Sequence, residues 1–200
     1  MTTIINASTS SGLVQTADTS GTLVLQSNGT TQQTIDSTGS YGQLKSGTAV
    51  ASTSGTSIDF TSIPSWVKRI TVELNGISLS GTAAPVFQLG SASGVENTGY
   101  VGTYNWIAAN ANSVSSLSSY FQITVTGNAN TATYYGSIVF TLVSGNIWIA
   151  NGAFSRSDTT QMGSVVGGKT TAATLDRVRI TTTNGTDTFD AGSINILYEG

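Results

Sequence analysis

Over Val67-Lys68-Arg69-Ile70-Thr71-Val72-Glu73-Leu74, apolar and polar side chains alternate almost one by one. That period puts Ile70, Val72 and Leu74 on one face and Arg69, Thr71 and Glu73 on the other, as a half-buried strand requires. Further β-prone runs are Val86 to Leu89, Tyr120 to Thr126, Tyr134 to Val143, Ile147 to Phe154, Leu175 to Thr182 and Ser193 to Tyr198. Between them stand the turn pairs Asn75-Gly76, Ser80-Gly81, Gly127-Asn128, Ser144-Gly145 and Asn184-Gly185. No helical period persists. Short strands at even spacing predict an all-β, antiparallel sandwich or barrel, and a set of this size suits a jelly roll.

The pattern changes near residue 57. Tyr41 is the sole aromatic residue before that point, and Asp18, Asp36 and Lys45 are its only charges. Such a segment cannot bury enough apolar surface alone to offset its ordering entropy. It still contains short β-prone runs, Leu13-Val14, Leu23-Val24-Leu25 and Gln33-Thr34-Ile35, with the hairpin pair Asn28-Gly29 between the last two. A Ser/Thr-rich disordered tail and an extended arm ordered against other chains are both open, and the spaced apolar residues favour the arm. The expected organisation is an arm over 1–56 and a β-sandwich head over 57–200. Pairing of Leu13, Val14, Leu23, Val24, Leu25 and Ile35 between chains would satisfy both their side chains and their backbone groups, so an intertwined homotrimer is expected.

Composition narrows the chemistry. The 200 residues include no Cys and no His, which excludes a Ser-His-Asp triad, a cysteine nucleophile, thiolate or imidazole zinc sites and any disulfide framework. Charged residues make up only 8% of the chain, the net charge is −3 and the pI is near 4.6. With so few Lys and Arg, nucleic-acid binding is not expected. The N-terminus has no basic, then apolar, leader pattern and no stretch is long and apolar enough to span a bilayer, so neither a signal peptide nor a membrane partner is expected.

Paired carboxylates could hydrolyse glycosides without His or Cys. The available acids, Asp59, Glu73, Glu96, Asp158, Asp176, Asp187, Asp190 and Glu199, suit solvated or salt-bridged roles, so no catalytic residue and no cofactor are expected. The segment from Asn184 to Asp190 offers oxygen ligands for a hard cation but lacks EF-hand spacing, and a hairpin turn is the plainer reading. Arg177 and Arg179 share one strand face and read as a solvated edge. Tyr100, Tyr104 and Trp106, with Asn97, Asn105, Asn110 and Asn112 nearby, mix rings with amides as sugar-binding surfaces do. The same rings could instead fill a core or a subunit interface.

The stretch Ser57-Ile58-Asp59-Phe60-Thr61-Ser62-Ile63-Pro64-Ser65-Trp66-Val67-Lys68-Arg69-Ile70-Thr71-Val72-Glu73-Leu74-Asn75-Gly76, together with Glu96-Asn97-Thr98-Gly99-Tyr100, resembles a module of tailed-bacteriophage and prophage structural proteins. Residues 7–18 and 23–29 are similar to segments that recur in phage fibre and other virion proteins. Together these stretches cover roughly the first half of the chain, and the Ile63 to Ile70 core is their most specific part. The resemblance implies a non-enzymatic virion component on the outer surface of capsid or tail, commonly a homotrimer with a β-sandwich head. It brings no catalytic residues. The chain length and the lack of a repetitive shaft suit capsid decoration, as a cement or head-fibre protein bound to the major capsid protein through its arm, better than a tail fibre. The alternative is a tail-fibre or receptor-binding protein whose sandwich takes a host surface glycan.

Overall fold

In the computed structural model, the described residues are 22–27, 30–36, 39–40, 44–123 and 129–200, and they form strands and connections with no helix. They fall into two units, residues 1–43 and 44–200.

The first unit is a three-stranded antiparallel sheet of β1 (Leu23–Ser27), β2 (Thr30–Asp36) and β3 (Gly39–Ser40). Ser27 stands opposite Thr30, which leaves only two residues for the connection; the expected Asn28-Gly29 turn itself lies outside the described residues. Leu23 stands opposite Ile35. Leu23, Val24, Leu25 and Ile35 are all exposed within the chain. Because Leu23 and Leu25 alternate with Val24, apolar groups lie on both faces of this ribbon, and neither face has a core of its own. Leu13 and Val14 lie outside the described residues.

The second unit contains β4 (Leu44–Ser46), β5 (Val50–Ala51), β6 (Ser57–Phe60), β7 (Arg69–Leu79), β8 (Pro85–Ser91), β9 (Gly94–Val95), β10 (Tyr100–Ala108), β11 (Ala111–Ser116), β12 (Phe121–Gln122), β13 (Tyr134–Ser144), β14 (Ile147–Arg156), β15 (Gln161–Thr170), β16 (Leu175–Thr182) and β17 (Phe189–Glu199). A nine-stranded sheet runs β11-β10-β15-β14-β13-β7-β17-β4 with β5 also on β17, and a five-stranded sheet runs β12-β8-β16-β6 with β9 on β8. All pairings are antiparallel. They nest: β7 with β17, β8 with β16, β10 with β15 and β13 with β14. This is the winding of a rolled-up hairpin, as in a jelly roll, with most strands gathered in one sheet rather than shared equally.

The sheets pack face to face through aromatic rings. Phe87 of β8 meets Phe140 of β13 and Phe154 of β14, and Phe121 of β12 meets Phe140 and Tyr100. Ile70, Val72 and Leu74 point into this core as their alternation predicts, while Arg69, Thr71 and Glu73 do not. After Leu74 the parity changes, and Ile77 and Leu79 are the next buried apolar positions. Asn75-Gly76 is therefore a bulge inside β7 and not the expected turn: Gly76 has φ 63°, and the ladders to β13 and β17 both shift register beside it.

The second unit starts earlier than the composition suggests. Gly47 donates its N–H to the Ile196 carbonyl at 2.7 Å, and Ser52 donates its N–H to Gly192 and its hydroxyl to Ala191. Residues 44–56 thus run along β17 as part of the head, despite their arm-like composition. Strand β10, β11 and β15 were not among the expected ones. Their sequences are too rich in Gly, Ser and Asn to alternate visibly, as in Gln161-Met162-Gly163-Ser164-Val165-Val166-Gly167-Gly168.

Candidate functional site

The shorter of the two head stretches that carry the resemblance, Glu96 to Tyr100, is a joint between three strands. It connects β9 to β10, and the inward parity of Tyr100 carries its ring under β8, where it is buried edge-on to Phe121. The Tyr100 hydroxyl accepts the Leu89 N–H at 2.8 Å and donates to the Glu96 carbonyl at 2.8 Å. Burial pushes this phenol well above the usual tyrosine range, with the hydrogen bond from Leu89 acting against it and the Glu96 charge adding to it. The Glu96 carboxylate takes Lys169 Nζ of β15 at 2.5 Å on one oxygen and the Ala172 N–H at 2.8 Å on the other. The Lys169 ammonium also lies 5.6 Å from the Tyr100 ring centroid. Lys169 was not legible as a partner of Glu96, although it is the one charge between Asp158 and Asp176.

This arrangement removes Tyr100 as a sugar-stacking ring: its face is in the core and its hydroxyl is engaged. Tyr104 and Trp106 share its inward parity on β10, and Tyr104 packs against the core. Trp106 keeps partial exposure and borders a recess of about 620 Å³ with Ala108, Asn110, Arg156, Asp158 and Gln161. Its indole N–H is buried and has no hydrogen-bond partner among the described residues. A second recess, of about 460 Å³, was not anticipated; it lies over the outer side of the smaller sheet, with Gln88, Asn97, Ser119, Tyr120, Arg179 and Asn184 around it.

Six of the eight acids, all but the exposed Glu73 and Asp190, are engaged structurally. Asp59 takes Arg179 at 2.7 and 2.8 Å in a fork-to-fork pair that raises the guanidinium pKa further, Asp158 takes Arg156 at 2.6 Å, Asp176 takes Arg177 at 3.1 Å and Glu199 lies 3.5 Å from Arg69. Arg177 and Arg179 are therefore neither a phosphate clamp nor a merely solvated edge. In the Asn184 to Asp190 loop, Asn184 Oδ1 accepts from the Thr182 hydroxyl and from the N–H groups of Thr186 and Asp187, and Asp187 Oδ2 accepts the Ala83 N–H at 2.9 Å. These oxygens tie a turn and dock it on the β7–β8 connection. Hydrogen bonds in the Asn184 turn, then the one from Ala83, hold the Asp187 carboxyl below its ordinary pKa. Among the described residues, no group of three or more acids gathers where a metal could sit.

The other motif stretch is equally architectural. Ile63 donates its N–H to Asp176, Lys68 donates to Glu199, and the Lys68 carbonyl accepts from Leu142, so the Ile63 to Ile70 run closes one end of the sandwich before entering β7. No known protein family matches this chain, and no similar curated protein or solved structure was found.

Proposed function

We propose that the protein is a non-enzymatic structural component of a tailed-phage virion, a homotrimeric surface protein whose N-terminal arm attaches it, with capsid decoration favoured over a tail-fibre role. The reading starts from the resemblance of residues 57–76 and 96–100 to phage structural modules. The observation that carries it is the first unit, whose Leu23, Val24, Leu25 and Ile35 are exposed on both faces of a ribbon without a core. Such a ribbon gains its burial from other chains. At ~25 cal/mol per Å², a few hundred Å² of apolar surface covered per arm supplies several kcal/mol. The test is to remove residues 1–43 and offer the product to particles lacking the protein. Loss of decoration supports the reading; decoration as complete as with the full chain overturns it.

Glycan attachment by the head is the second reading, and the recess beside Trp106 favours it. Asn110 and Gln161 put amide groups beside that ring, the mixture that binds sugar hydroxyls and sugar faces. Trp106→Ala would then abolish retention on host envelope polysaccharide while the fold persists; unchanged retention excludes this recess.

A further inference from the structure

We infer that the outer face of the larger sheet, across β11, β10, β15, β14 and β13, is the docking surface for a second copy of this chain. The inference goes beyond the proposed function, because it concerns the head alone and holds whatever the arm attaches to.

Beyond Val50, every exposed large apolar side chain among the described residues lies on these strands, including Val101, Ile107, Val114, Ile149, Met162 and Val166. The pairing register sets them side by side. Ile149, Gly168 and Val101 form one row across β14, β15 and β10; Val166 stands between Asn151 and Thr103; Met162 stands between Ser155 and Ile107. The outward positions between them hold Ser, Thr, Asn, Ala, Gly or the half-buried Val139, and none carries a charge. The two cations in these strands, Arg156 and Lys169, both fall on the inward parity, where Asp158 and Glu96 pair with them. Ionic groups are thus absent from the outer face of these five strands; the nearest stand on the neighbouring β7, where Arg69 and Glu73 lie opposite Thr141 and Ser137 of β13.

The missing charge selects the occupant. A nucleic acid or a strongly ionic protein surface would find nothing to pair with here. A second copy of the same face brings no like charge to oppose and no ion to desolvate. The size fits as well. Five strands at ~4.8 Å and about nine residues at ~3.3 Å span roughly 24 by 30 Å, or about 700 Å². A stable interface takes about 800 Å² from each partner, close to the area of this face. Among the described residues, β11 ends this sheet; its sequence, Ala111-Asn112-Ser113-Val114-Ser115-Ser116, lacks the Lys or Pro that usually guards an open edge.

The test reads the mass of the full chain by sedimentation equilibrium at tens of micromolar. Every sample carries Leu23→Asp and Leu25→Asp, so that association through the arm does not contribute. The parent should be an oligomer whose mass rises with concentration. Ile149→Glu with Val166→Glu, and separately Ile149→Lys with Val166→Lys, should each weaken association roughly 100-fold or more, the effect of an unpaired buried charge. Each should keep the β-rich circular dichroism of the parent. Mixing the Glu and Lys forms should restore the oligomer, which loss of folding could not do. A monomeric parent overturns the proposal and leaves the face to another protein or to the chain's own N-terminal residues. Charge variants that associate like the parent, or a mixture that stays monomeric, overturn it equally.

Discussion

The two units of this chain use the same kind of strand to opposite effect. In the unit from Leu44 to Gly200, Phe87, Phe121, Phe140, Ile70 and Ile180 are completely covered by the opposing sheet. In the unit ending at Gln43, leucines and an isoleucine of similar β propensity stay more than a third exposed. The difference is the second layer. A sheet stabilises itself only when one face is covered; the head has that cover in its own core, and the ribbon of β1, β2 and β3 would, on the proposed reading, gain it by association. Position in the architecture, rather than residue type, decides which strands are intrinsically stable.

The comparison is broken most directly in the core. Phe121→Ala removes a ring shared by Tyr100 and Phe140 and should cost ~3–5 kcal/mol in denaturant unfolding of the head. Next comes the joint at Glu96. Lys169→Met leaves the half-buried Glu96 carboxylate without its charge partner and should cost up to about 3 kcal/mol, while adding Glu96→Gln should recover much of that loss. A smaller contrast separates two buried phenols. Tyr100→Phe strands the Leu89 N–H and should cost ~1–3 kcal/mol. Tyr134→Phe should be neutral or stabilising, because the Tyr134 hydroxyl is buried without a partner among the described residues and burial pushes its pKa up to about 12.

Acid should act weakly on the turn that holds Asp187. Its folded pKa lies below the unfolded one, so the contribution is full above the ordinary carboxylate range and is lost as pH falls through the lowered value. In unfolding titrations against pH, Asp187→Asn should flatten that acid limb. The smallest expected effect lies in the other unit. Leu23→Asp with Leu25→Asp should move the head's denaturation midpoint by no more than the ~0.5 kcal/mol of ordinary surface changes, while abolishing attachment to particles.

The antiparallel all-β class was legible because Ile70, Val72 and Leu74 alternate with polar residues, and β8, β13, β14, β16 and β17 each contain a run dense enough in β-formers to be seen. The signal failed where the fold uses small residues. Gly102 and Gly167 stand opposite each other on the inner face of β10 and β15, leaving room for Leu117, whose N–H donates to the Gly102 carbonyl. Such strands read as loops. Asn75-Gly76 carried a turn signature that served a bulge instead, since both chemistries need a positive φ. The glycan candidates were visible as a cluster of rings, but one-dimensional spacing could not tell which parity of β10 faces the core. The start of the head at Leu44 was hidden because residues 44–56 contribute backbone hydrogen bonds to an edge rather than apolar side chains to the interior.

Hydrogen exchange on the full chain, free and seated on particles, tests the dependence of the arm on association most directly. The account predicts that in dilute free protein the amides of residues 23–27 and 30–36 exchange orders of magnitude faster than those of β7, β8, β13 and β16, and that attachment to the particle protects them. Protection of these amides equal to that of the head in a free monomer would contradict it.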